Sequence, residues 1–286
     1  MADVAPLRLP VTLYFTLNGR EEMSLTNPYI KALAGSSWVG VGVGNHITYF
    51  FDRQASIGDL VWTSAEKHGF ELALRSWANV ADISFERVFT SDAANLVESL
   101  ETTKFFEFGF GPLVGYHESP TSFGAAFGTY AADGSPAANV FALGNGPPYP
   151  GTYSFETFVH ELGHGLGLAH PHDHGQGTGL FPGVTSPYDS GNYNLNQDAY
   201  TVMSYNHSFG FDNGSGRTVY AANVAGPMAF DIAAIQTLYG ANMSYHTGDN
   251  VNRLDVVGGG NACGKRSAGF GLVGLIVEKQ KRPVRP

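Results

Sequence analysis

Residues 160–170 read HELGHGLGLAH, and this run constrains the chain more than any other. His160 and His164 are four apart, so on a helix they share one face about a turn apart. Two imidazoles at that spacing can grip one metal ion, and Glu161 beside the first can reach a water held by it. Gly167 follows three residues after His164. A residue without Cβ can take positive φ and end the helix sharply. The chain then turns back and brings His170 in as a third ligand. Three protein ligands with a fourth position open are the arrangement of a catalytic zinc, not a structural one.

The two-histidine pattern alone is weak, since such a trio meets by chance on many solvated helix faces. The extended pattern HExxHxxGxxH fixes five positions, and here the chain resembles the metzincin clan of zinc endopeptidases. A second stretch, YTVMSY at residues 200–205, is similar to the clan's Met-turn, with Met203 as the methionine. Tyr205, two positions after Met203, narrows the resemblance to serralysins and astacins. FDIAAIQTLYGAN at residues 230–242 resembles the serralysin helix that follows the Met-turn. The resemblance to the serralysin family covers roughly residues 10–250.

That resemblance implies an α+β fold, with a twisted mixed sheet, two long helices, a zinc cleft and a Met-turn. It implies a zinc-dependent endopeptidase with His160, His164 and His170 as ligands and Glu161 as the general base. It also implies Tyr205 as a further ligand near zinc and Met203 as packing beneath the site. The substrate would be a protein or peptide bound in an extended conformation. A proteinaceous inhibitor is a further partner within reach of the resemblance, as is export without an N-terminal signal peptide to an extracellular site. The competing reading is a catalytically inactive zinc-binding module for adhesion or assembly. Retention of Glu161 speaks against it, because a binding-only site has no need of the base.

Composition sets outer bounds. The net charge of −9 argues against nucleic acid as a partner. The single cysteine, Cys263, excludes an intrachain disulfide and, lying in the tail, argues against a cysteine switch. The N-terminal stretch has no basic region followed by an apolar core. No stretch of about 18 apolar residues occurs, so no membrane span is expected.

Coarse periodicity places the remaining elements. Residues 11–18 read as a strand or propeptide remnant, and residues 25–44 as a Gly- and Ser-rich stretch. Residues 46–51, HITYFF, and 82–88, DISFERV, read as strands. Residues 64–81 have helical spacing, with Phe70, Leu72, Leu74 and Trp77 on an apolar face and Ser64 as a candidate cap. His68 reads as a surface or boundary histidine. His46 and His117 have no partner at ligand spacing and read as structural. Residues 138–143 resemble the edge strand that lines the substrate cleft in metzincins, where a peptide can add as another strand.

The breaker-rich loop at residues 144–151 should precede a helix starting near Ser154, with Phe158, Leu162 and Leu166 facing the core. His172 and His174 read as loop residues. Residues 175–199 show no clear periodicity. Residues 227–238 have helical spacing, with Asp231 in the first turn, where the helix dipole favours a carboxylate.

The tail departs from the family, whose calcium-binding repeats of the type GGxGxDxUx should follow. Only Gly258–Gly260 is a fragment of one. Through residue 250 the chain carries 9 basic and 23 acidic residues, and beyond it 7 and 2. The expected division is therefore a catalytic domain at 1–250 and a divergent basic tail at 251–286, with Zn2+ as cofactor and any need for Ca2+ in doubt.

Overall fold

The computed structural model describes residues 27–52, 61–102, 114–132, 148–208, 210–212, 218–220 and 223–245. Three expectations, for residues 11–18, 138–143 and 251–286, lie outside the described residues. So does half of the loop at 144–151.

A five-stranded mixed sheet forms one layer, in the order β2-β1-β3-β5-β4. Its strands are β1 (His46–Phe51), β2 (Ser84–Arg87), β3 (Leu96–Thr102), β4 (Gly115–His117) and β5 (Ala126–Ala132). The first four in that order run parallel, and β4 runs antiparallel at the edge. β1 alternates as a half-buried strand should, with Ile47, Tyr49 and Phe51 buried.

Four helices accompany the sheet: α1 (Pro28–Leu33), α2 (Ser64–Val80), α3 (Tyr153–Gly165) and α4 (Ala229–Tyr239). α2 fills the stretch read as helical, but Ser64 is not its cap. Thr63 accepts from the Glu66 N–H, and the Glu66 side chain accepts from the Thr63 N–H, a reciprocal capping box. The sequence pattern T-x-x-E was present and points one residue earlier. The stretch at 25–44 contains α1, which Asn27 caps by accepting from the Tyr29 N–H.

α2 and α3 pack together against the sheet. Phe70, Tyr130 and Phe158 meet edge to face, with centroids 5.0–5.9 Å apart. Trp77 lies fully buried beside them and donates from Nε1 to the Val159 carbonyl of α3. This aromatic core fixes α3, and with it the motif residues. Among the described residues, no helix is long and apolar enough to cross a membrane.

Candidate metal centre

α3 begins after Thr152, whose hydroxyl accepts from the Phe155 N–H. Phe158, Val159, Leu162 and Leu166 turn into the core, as expected. His160 and His164 then project from the other side.

The helix ends as the glycine foretold. Leu168 N–H donates to the Gly163 carbonyl and Gly167 N–H to the His164 carbonyl, the paired bonds of a Schellman motif. Gly167 has φ +104°, and a Cβ there would lie 1.7 Å from the Ser36 carbonyl oxygen. No other residue fits. Beyond the turn, Ala169 N–H donates to the Leu33 carbonyl and Gly35 N–H to the Gly167 carbonyl. The segment after α1 thus clamps the returning chain and aims His170 back at α3.

The three imidazoles converge. Nε2 of His170 lies 3.1 Å from Nε2 of His160 and 3.0 Å from Nε2 of His164. Each Nδ1 faces an acceptor elsewhere. His160 Nδ1 is 2.7 Å from the Val202 carbonyl and His164 Nδ1 is 2.8 Å from the Leu168 carbonyl. His170 Nδ1 pairs with the Asp173 carboxylate. Since carbonyls and carboxylates accept, each Nδ1 carries the proton and each Nε2 presents a lone pair. Three lone pairs facing one another repel unless a cation lies among them. The donor set therefore fits zinc, with the outer hydrogen bonds that orient ligand histidines.

Electrostatics agree. Burial, reinforced by His170, pushes His160 down to about 3. Burial and the other two histidines hold His164 well below the ordinary range. Both stay neutral, the form that binds metal. Burial pushes Glu161 up to about 8, against the pull of His117. His117 itself is raised: burial acts to lower it, but the charge of and hydrogen bond to Glu98 outweigh that.

Met203 is fully buried, and a Cβ on Gly163 would meet its sulfur at 2.6 Å, so the methionine lies directly against α3. Asp231 holds the turn containing it. Its carboxylate accepts from Thr201 Oγ1 at 2.6 Å, Val202 N–H at 2.7 Å and Met228 N–H at 2.8 Å. Val202 is the residue whose carbonyl orients His160, so Asp231 supports His160 through one intermediary.

The Tyr205 ring lies 4.8 Å from His170 and stacks on His160 at 5.8 Å. Burial raises its hydroxyl pKa well above the ordinary range. His172 also joins this group, stacked 4.8 Å from His170, whereas His174 stays exposed in the loop. His46 and His68 are exposed and away from the centre. Sequence reasoning missed Asp173, although its place three after the third ligand suits an outer partner. It also missed Glu98, the buried partner of His117.

No family model matches this chain. Among curated proteins, it is similar to Serralysin B of Dickeya chrysanthemi, 30% identical over 247 residues, covering 82% of this chain and 48% of that protein. It is 35% identical over 191 residues to the Serralysin of Photorhabdus laumondii, covering 66% and 36%. It is 27% identical over 239 residues to Metallopeptidase AprA of Pseudomonas marginalis, covering 82% and 44%. The chain spans about half the length of the curated relatives it matches.

Proposed function

The chain belongs to the serralysin family, and from that premise we propose that it is a zinc-dependent metalloendopeptidase whose ligands are His160, His164 and His170. The observation that carries the reading is the set of three converging Nε2 lone pairs, each fixed by an acceptor at Nδ1. The inactive binding module has no support among the relatives, which carry the names of proteases.

Bound zinc supplies Lewis acidity, polarising a carbonyl and making a coordinated water acidic. Glu161, 6% exposed and adjacent to the first ligand, takes the proton of the attacking water at its carboxylate. It then passes that proton to the leaving amine. Asp173 and the Val202 and Leu168 carbonyls keep the imidazoles in the tautomer that binds. Met203 packs beneath and does no chemistry.

The substrate enters as an extended peptide. Among the described residues, β4 is the antiparallel edge of the sheet, and its Gly115 lies against the Glu161 side chain. A peptide added along β4 would bring its backbone to the general base. We place the activity outside the cell, as the family implies. With zinc bound, Tyr205 would join the three histidines in holding it, and with a peptide bound its hydroxyl would donate to the carbonyl oxygen that gains negative charge.

Digestion of casein should stop on addition of a zinc chelator and return when zinc is restored. Hydrolysis that survives complete metal removal would rule the reading out. Tyr205→Phe should lower kcat roughly 10- to 10³-fold with KM little changed, the pattern for a group acting only in the transition state. An unchanged kcat with zinc retained would leave Tyr205 a packing residue.

A further inference from the structure

Close to Glu161 lies a second set of polar side chains that the reaction as described does not use. His117 and Glu98 are both fully buried, with Nε2 3.2 Å from Oε1. His117 Nδ1 lies 2.6 Å from the Glu118 carbonyl oxygen. Both ring nitrogens thus face oxygens, one of which can only accept. The pair shares one proton beyond a neutral imidazole, so it holds an imidazolium beside a carboxylate or passes that proton between them.

The surrounding backbone leaves room for these side chains and for Glu161 together. A Cβ on Gly115 would meet the Glu161 Cγ and Oε1 at 2.8 Å. A Cβ on Gly165 would meet the His117 ring at 2.6 Å, and one on Gly128 would meet Glu98 Oε2 at 2.1 Å. Gly115 and His117 are two apart on β4, so their side-chain directions share a face of the strand. Glu161 and Gly165 are four apart on α3 and share a face of the helix. β4 therefore runs along α3 with Gly115 over Glu161 and His117 over Gly165.

Stability alone explains this poorly. A buried ion pair is often no better than apolar side chains of the same volume. The buried Tyr130 hydroxyl bears on the same Glu98 carboxylate, so three polar groups leave water at one place. Taking charged and polar groups out of water carries a free-energy penalty. Such penalties concentrate where function requires them.

We propose that His117, held by Glu98, is a positioning residue for Glu161: its charge beneath the carboxylate keeps that group aimed at the cleft. The inference rests on the reading of Glu161 as the general base. The geometry adds that the same strand carries the positioning histidine and the edge on which a peptide would pair. Substrate binding and orientation of the base then share one element.

The test is Glu98→Gln in the full-length, zinc-loaded protein. The amide keeps the size and can donate to a neutral His117, but the charge pair is gone. The expected result is kcat lowered roughly 10- to 10²-fold, as for a misaimed catalytic group, with KM near wild type. Zinc content should stay at wild type, as should the absorption spectrum of the cobalt-substituted protein, because the three ligands are untouched. A second variant, Glu98→Leu with His117→Leu, removes both charges and leaves no orphan, and the same fall in kcat is expected. Wild-type kcat in either folded variant would overturn the proposal. Failure of both to fold would assign the pair to the core and overturn it equally. Glu161→Ala, run alongside, separates the two claims. If it is as active as wild type, the reading of the base fails; if it is inactive while Glu98→Gln is unimpaired, only the positioning role falls.

Discussion

On the sheet side of α3, Phe70, Tyr130 and Phe158 interlock edge to face beside the buried Trp77, and apolar burial holds the helix. On the other side, residues 171–208 contain only two short 3-10 turns. Carboxylates and amides do the holding there. Asp198 accepts from Ser208 and His207, Asn196 donates to the Asp189 carbonyl, Asn206 donates to the Asn196 carbonyl, and Asp231 anchors the Met203 turn. Burial is non-directional, so the first side can fix where α3 lies but not how an imidazole turns. Hydrogen bonds have geometry, and the second side supplies them to the ligands. The two sides divide the work of placing the helix and orienting its histidines.

Breaking each side separately should show the division. Phe158→Ala removes a fully buried ring and should cost about 3–5 kcal/mol in unfolding free energy while zinc affinity stays near wild type. Asp231→Ala leaves three buried donors unmatched and should cost about 2–4 kcal/mol. It should also weaken zinc by roughly 10-fold, because the Val202 carbonyl loses its support. Denaturant melts and competition with a chelator read both quantities. Equal zinc loss in the two variants would erase the distinction.

A smaller effect should appear with pH. Burial raises Glu156 to about 8, and Asp198 adds to that. An acid with a folded pKa above its unfolded value binds its proton more tightly in the fold. Its stabilisation is present below about 4.5 and is lost as pH rises through about 8. His207, raised by its hydrogen bond to Asp198, shifts stability in the same direction. Between pH 6 and 8.5, wild type should therefore lose about 2–3 kcal/mol more than Glu156→Gln. Parallel curves for the two proteins would mean that Glu156 does not titrate in that window.

The smallest change is expected from deleting residues 252–286. The resemblance to the family ends near residue 250, so the melting free energy should move by less than about 0.5 kcal/mol. Loss of hydrolysis in the shortened chain would show that the domain extends into that stretch.

The same division explains what the sequence made legible. β1, α2 and α3 follow from period-2 and period-3.6 apolar patterns, because burial is what holds them. The ligands and the turn at Gly167 follow from a motif with fixed spacing. Asp173, Asn196 and Asp198 had no such signal. Their partners are backbone groups, hydroxyls and the imidazoles of His170 and His207, in places that periodicity does not encode. The expectation that His117 is merely structural failed to anticipate Glu98, 19 residues away and brought near only by the order of β3, β5 and β4. Tyr205 was visible from its place after Met203, and the structure sets its ring against His160 and His170.

We propose that His160, His164 and His170 hold a metal for hydrolysis by Glu161, and Glu161→Ala tests this most directly. Zinc per chain and peptide turnover would be measured on the same preparation. One zinc retained, with kcat/KM lowered by roughly 10²-fold or more, is the expected result for a lost general base. Wild-type turnover in that variant, with zinc in place, would contradict the account.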